Sequence, residues 1–421
     1  MGGGAPLKFS SRTISLTNYA RIRGSYNRIF LCLYSRRLPW SFFPNPLARL
    51  VQEKRRASGT LLDLTISNPT EVLPQYPHTR ISEAYASIHD FTYNPHPLGS
   101  EAARNEIVRL YREHEIALTT DRIALTASSS EAYAMLFKLL CNPGDEVLVP
   151  VPSYPLFEYL AALECVRAVP YRLAYDGNWF IDFASLRDNL SPQSRAIIVV
   201  NPNNPTGSFL KAAELIDLLD LARERDMTII SDEVFMDYSF GNHPHRVLTL
   251  AGQDSTLIFC LNGLSKMAAM PQMKLGWIVI SGPAEDTRAA CEHLELLLDT
   301  YLSVNSPVQA ALPALLSIGA DNRLALKQTI DANRRTLNSM LADQPVQALH
   351  TEGGWSAILQ LPCIDSEEVW IMSLLQEQNV LVQPGYFFDM ASEPYAVISL
   401  ITPEDIFAEG IRRIGRLAGT N

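Results

Sequence analysis

For its 421 residues the chain has little charge and little sulfur. Charged residues make up 19% of it, and the six cysteines (Cys32, Cys141, Cys165, Cys260, Cys291, Cys363) contain no C-x-x-C pair. Scattered single cysteines, several in apolar settings such as IFC at 258–260, argue against a disulfide framework or a zinc site and predict reduced thiols inside a cell. No run of eighteen or so uncharged apolar residues exists, so no segment is expected to span a membrane. The formal net charge is −10 and the main body has no basic stripe, which argues against nucleic acid as a partner. Internal repeats and low-complexity linkers are missing as well. A small-molecule substrate is the class that remains.

Acidic residues are absent from the first 52 positions, which hold eight basic ones, and Ser and Arg recur from Ser10 to Arg37. Two readings fit that composition: an organelle transit peptide, or an upstream extension of a bacterial reading frame that never folds. The initial MGGGAP has no Ser or Thr at its sixth position, so the myristoylation pattern is not met. Residues 1–36 are set aside as a disordered or transit-like extension. The expected location is the cytoplasm, or an organelle if the extension is a transit peptide. Without the first 52 positions, 27 basic residues face 45 acidic ones.

What is present is a 47% hydrophobic chain long enough for two or more lobes. From residue 100 helical stretches such as EAYAMLFKLL (131–140) and KAAELIDLLDLARERD (211–226) alternate with short β-branched runs. EVLVPV (146–151), AIIVVN (196–201), MTIISD (227–232), TLIFCLN (256–262) and LGWIVI (275–280) predict strands of a mostly parallel sheet covered by helices on both faces. The expected organisation is an α/β large domain over 75–300 and a smaller α+β domain over 301–421. The segment 37–74 joins the small domain, with LLDLTISNP (61–69) as a strand leading into a loop.

Four motifs fall at strand ends, where open α/β sheets place ligand contacts: NPNNPTG (201–207), SDEVF (231–235), GLSK (263–266) and KLGW (274–277). Each alone is weak, since a lysine after a strand is usually solvated and a strand-end acid usually sits in an ion pair. Their joint order is specific. With YNPHPLG (93–99), the segment 126–155 and PGYFF (384–388), they resemble the class I/II aminotransferases that depend on pyridoxal 5′-phosphate (PLP), over nearly all of residues 60–418.

That resemblance implies PLP fold type I, a PLP cofactor and a homodimer with a shared site. It makes Lys266 the Schiff-base lysine, an amine whose surroundings must lower its pKa for it to attack an aldehyde near neutral pH. Asp232 resembles the carboxylate that keeps the pyridine nitrogen protonated. Glu233 competes for that role, but strand alternation points it to the opposite side. Asn204 resembles the donor to the phenolic oxygen, and Tyr154 the ring stacked on the pyridine. Ser129 and Ser130 open a helix whose N-terminus suits a phosphate, Lys274 stands in the phosphate cup, and Tyr93 resembles a residue reaching the phosphate of a neighbouring subunit. Trp355 and Trp40 are candidate wall residues, or core.

The pattern departs from the family where Phe235 replaces a common Tyr, Gly263 a common Ser, and Lys274 the usual Arg, which costs the planar fork. Val397, in YAVISLITPED (395–405), stands where members carry the arginine that pairs with the substrate carboxylate. Either another cation replaces it or the substrate is not a simple α-amino acid. The implied activity is transfer of an amino group from an amino acid or amine to a 2-oxo acid through pyridoxamine phosphate. The alternative is a PLP-dependent lyase or synthase. A PLP-sensing transcription regulator is a third reading, disfavoured because no helix-turn-helix pattern precedes residue 60.

Overall fold

A computed structural model describes residues 35, 37, 46–57, 61–241, 243–392 and 394–420. Trp40 and, apart from Ser35, the extension at 1–36 lie outside the described residues. After the short strand β1 (Leu62–Asp63), eight strands form the main sheet: β2 (Ile123–Thr126), β3 (Glu146–Val151), β4 (Arg167–Tyr175), β5 (Trp179–Ile181), β6 (Ser194–Val200), β7 (Thr228–Asp232), β8 (Ile258–Gly263) and β9 (Gly276–Ser281). Their spatial order is β2-β9-β8-β7-β6-β3-β4-β5. The central β8, β7, β6, β3 and β4 run parallel, and β9, β2 and β5 are antiparallel to their neighbours.

The five strands nominated from the sequence are thus present, four of them with ends shifted by one or two residues, as hydrogen-bonded boundaries commonly are. β2, β4 and the three-residue β5 were not nominated. β2 is a four-residue run, and β4 (RAVPYRLAY) mixes arginines and a proline into an edge-side strand.

Successive residues of the central strands face opposite ways. Ile197 and Ile229 join a core shared with the helices Glu101–Arg112, Ala212–Glu224 and the start of Ser306–Leu341. Ile198 and Ile230 join another with Ser129–Leu140 and Ala284–Tyr301. Both faces of the sheet are therefore dry, which is why its strands read as near-continuous apolar runs.

The remaining strands are β10 (Gln347–Ala348), β11 (Ser356–Gln360), β12 (Val380–Leu381), β13 (Gln383–Pro384) and β14 (Tyr395–Ser399). Four of them form an antiparallel sheet in the order β10-β11-β14-β13, while β12 pairs in parallel with β1. β1 is only two residues long, so most of LLDLTISNP is loop. The 36-residue helix Ser306–Leu341 bridges the two lobes: Val308, Leu312 and Leu315 pack into the large-lobe core, and Leu326, Ile330 and Leu337 into the small-lobe core. No helix among the described residues is long and apolar enough to cross a membrane.

Candidate active site

β7 ends at Asp232 and β8 runs directly into the short helix Leu264–Met267, which carries Lys266. Gly263 pairs with Gly276 across β8 and β9, and Thr126 pairs with Gly276 across β2 and β9. Three adjacent strand ends thereby bring together the helix of Lys266, the segment holding Lys274, and the turn before Ser129. The small residue at 263 has a steric reason: a Cβ there would lie 2.8 Å from the Gly276 Cα and 2.9 Å from the Leu275 oxygen.

The helix Leu264–Met267 is too short to satisfy all its own carbonyls, and side chains supply further donors. The Tyr238 hydroxyl donates to the Lys266 oxygen (2.8 Å), Arg323 Nη1 to Met267 (3.2 Å), Asn322 Nδ2 to Ala268 (3.1 Å) and the Tyr76 hydroxyl to Ala269 (3.1 Å). Four consecutive carbonyls are held from three separate segments of chain. None of these four residues stands out in the sequence, because each acts on backbone far away along the chain.

Lys266 and Asp232 are the charges of this corner. Burial pulls the Lys266 ammonium down to about 8, against the negative charge of Asp232. Burial pushes Asp232 up to about 6, against the Val234 amide, the Tyr133 hydroxyl and the Lys266 charge. Tyr133 donates to Asp232 Oδ2 at 3.1 Å. The Lys266 Nζ lies 4.7 Å from the ring centre of Trp355 and 5.6 Å from that of Phe235. Trp355 packs edge-on against Phe235 and Tyr238, with ring centres 5.3 and 5.1 Å away, so the walls around the amine are aromatic.

Glu233 is fully buried and turned elsewhere. It accepts from Ser231 Oγ (2.8 Å), Thr249 Oγ1 (2.6 Å) and the Leu250 amide (2.8 Å), and burial lifts it to about 7. Every oxygen of Glu233 is committed to structure. Asp232 receives one side-chain donor and the long 3.3 Å Val234 amide contact.

The same distinction sorts the three asparagines of NPNNPTG. Asn201 donates to the Val247 and Leu248 oxygens and accepts from the Leu210 amide. Asn203 donates to the Pro152 oxygen and to Thr206 Oγ1 and accepts from Ser153 Oγ. Asn204 accepts one bond, from Ser356 Oγ at 3.1 Å, and its Nδ2 meets no acceptor among the described residues. Two asparagines build the loop, and the third has a donor to spare.

Ser128 caps the helix Ser129–Leu140 by accepting the Glu131 amide at 3.2 Å, which leaves the amides of Ser129 and Ser130 without an acceptor among the described residues. Lys274 is exposed, in a left-handed conformation at φ 52. Tyr154 is 43% exposed and close enough to Asp232 for that charge to help raise its phenol, though burial is the larger cause. Tyr93 is 78% exposed, in a segment without regular structure. Val397 on β14 is buried opposite Ile358 and Gln383, and Arg413 is tied to Glu409 and the Gln378 oxygen, away from this corner. No cluster of metal-ligating side chains occurs among the described residues.

A family model for aminotransferase class I and II matches residues 59–406. The chain belongs to that family. This aminotransferase is 26% identical over 367 residues to the glutamate-pyruvate aminotransferase of Haemophilus influenzae, covering 85% of the chain and 90% of the relative. It is 27% identical over 395 residues to a tyrosine aminotransferase of Dictyostelium discoideum, covering 88% and 92%. Its fold matches an alanine aminotransferase from Pyrococcus furiosus with a TM-score of 0.81 at 24% identity, over 89% of the chain and 96% of that structure. The aminotransferase is thus a PLP-dependent transaminase of PLP fold type I, as the motif order implied. A lyase or synthase is not favoured, since these relatives are named as aminotransferases.

Proposed function

We propose that Lys266 is the amine that carries PLP and that Asp232, Asn204, Tyr154, Ser129, Ser130 and Lys274 hold the cofactor, with Tyr93 contributed across a dimer. One observation carries the reading: the desolvated lysine and the desolvated carboxylate are electrostatically coupled to each other at adjacent strand ends. The residues present fit the cofactor. A buried carboxylate calls for a cation, an uncommitted amide donor suits a phenolic oxygen, and bare amides at a helix N-terminus suit a phosphate.

When bound, PLP supplies an aldehyde that condenses with amines and a ring that withdraws electrons from the carbon beside the nitrogen. Lys266, near 8, reaches its neutral and nucleophilic form at mildly alkaline pH, and once displaced it moves a proton at the α-carbon of the substrate. Asp232 holds a proton at the pyridine nitrogen, and Asn204 Nδ2 donates to the phenolic oxygen. The Tyr154 ring would supply a flat surface for the pyridine face. The Ser129 and Ser130 amides and the Lys274 charge anchor the phosphate. The amino group passes from an amino acid or amine to a 2-oxo acid in two halves.

Protein incubated with PLP and treated with borohydride should carry the reduced adduct on the peptide containing Lys266. Lys266→Ala should lose the adduct and at least about 10⁴-fold in rate. An adduct on any other lysine overturns the assignment.

The homodimer rests on exposed aromatics: Phe91 is 70% and Tyr93 78% exposed in one segment, which favours coverage by a second copy. Light scattering should give twice the 46.9 kDa chain mass, and Tyr93→Ala should weaken PLP retention. A monomer with full PLP affinity would refute this. We place the protein in the cytoplasm because Cys141, Cys165, Cys260 and Cys291 are thiols rather than disulfides, which fractionation of the source cell checks.

A further inference from the structure

The loop 201–209 and the segment 351–356 interlock closely. Gly207 has φ +68, and a Cβ on it would lie 2.3 Å from the Gly353 oxygen; a Cβ on Gly353 would lie 2.7 Å from both Phe209 Cε2 and the Tyr238 oxygen. The Glu352 amide donates to the Gly207 oxygen at 3.2 Å, and Glu352 Oε2 accepts the Phe209 amide at 3.0 Å and Lys211 Nζ at 2.6 Å. This docking sets the start of β11 against NPNNPTG and brings Ser356 Oγ to Asn204 Oδ1.

Ser356 is the only side chain among the described residues that holds the Asn204 amide. By donating to the carbonyl oxygen it fixes which end of the amide faces inward, because an Asn side chain presents two donors at one end and an acceptor at the other. Without that bond the amide is free to turn over. The strand register places Ser356 on the same side of the sheet as Ile358, Val397 and Ser399, so this face offers Asn204 a hydroxyl and aliphatic groups and no charge.

We propose that Ser356 is a positioning residue: its hydroxyl orients Asn204 so that Nδ2 points at the phenolic oxygen of bound PLP. The inference rests on the assignment of Asn204 made above. The titratable groups facing the same space are Asp232 and Lys266 from the strand ends, Tyr154 after β3 and Tyr133 from its helix; β11 adds none on this face, and β14 adds only the phenol of Tyr395, at the far end of the strand from Ser399.

The test reads the pH midpoint of the visible absorbance band of the PLP-loaded protein. A donor to the phenolic oxygen favours its deprotonated form, so losing the donor should make the chromophore hold its proton more tightly. Ser356→Ala should raise the midpoint by about 0.5–1 unit, the equivalent of one ordinary hydrogen bond. Ser356→Thr, which keeps a hydroxyl in the strand, should restore it. Asn204→Ala should raise it at least as far, and adding Ser356→Ala to that variant should change nothing more.

An unmoved midpoint in Ser356→Ala overturns the proposal, and so does a second shift of equal size in the Asn204→Ala background. If Asn204→Ala itself leaves the midpoint unchanged while borohydride still traps Lys266, the Asn204 assignment has failed as well, and Ser356 has nothing to orient. A wild-type protein that takes up no PLP overturns the cofactor reading at its root.

Discussion

The strand ends of the large lobe and the inner face of the small-lobe sheet are built in opposite ways. The first places Lys266 and Asp232 in a desolvated corner, each shifted toward its neutral form. The second presents Ser356, Ile358, Val397 and Ser399, a surface without charge, joined by the Trp355 ring against the lysine. Where the family's carboxylate-binding arginine was sought, β14 has a buried valine. Charge is thus supplied by one lobe and shape by the other. Perturbing the charged side should change chemistry outright, and perturbing the neutral side should tune it.

The largest expected effect comes from removing the charge on the large-lobe side. Asp232→Asn should retain the bond with Tyr133 yet lose the carboxylate, and the transamination rate should fall by about 10²–10³-fold, as when one preorganised electrostatic contact is lost. Stability should move the other way. The folded-state pKa of Asp232, about 6, lies above the ordinary 3.8, so the folded chain binds the proton more tightly than the unfolded one. Its stability contribution is then greatest at low pH, is lost as pH rises from about 4 to about 6, and stays lost above. Asp232→Asn should therefore melt higher than wild type above pH 6 when PLP is absent, by on the order of 3 kcal/mol, and match it below about pH 3. A variant that is equally stable at both pH values, or nearly fully active, would show that the carboxylate is not the strained charge of this corner.

The two lobes also differ in how much of them was legible beforehand. The large-lobe motifs could be read because their residues are neighbours along the chain: SDEVF puts Asp232 at the end of an apolar run, and GLSK puts Lys266 just past another. Strand alternation even separated Asp232 from Glu233, whose oxygens are all taken up by Ser231, Thr249 and Leu250. Residues acting across long stretches of chain left no such trace. Ser356 meets Asn204 from 152 positions away, and Asn322 reaches the Ala268 oxygen over 54. A lone Ser in a strand or Asn in a helix carries no periodicity that marks it. The Gly263 position, read from the family as a missing Ser, also looks different in space, since the Gly276 backbone leaves a side chain no room.

The smallest expected effect comes from the neutral side, and it measures how far that side tunes the charge. The Trp355 ring lies 4.7 Å from Lys266 Nζ, and such a contact favours the ammonium by about 0.5–2 kcal/mol. It therefore works against burial, which holds Lys266 near 8. Trp355→Leu should lower the Lys266 pKa further, by about 0.5–1 unit, whereas Trp355→Phe, which keeps a ring, should recover most of the difference. The readout is the pH midpoint for amine-directed labelling of the Lys266 peptide in PLP-free protein. Because the folded-state value is already below the ordinary 10.5, Lys266 contributes stability that is full above that value and lost as pH falls from about 10.5 to about 8. In Trp355→Leu the loss should continue to lower pH. The truncation also leaves a gap beside Phe235 and Tyr238 and lowers stability equally at every pH, so the diagnostic is the change in slope of stability against pH. A labelling midpoint that rises, or that moves equally in the leucine and phenylalanine variants, would mean that the ring only fills space.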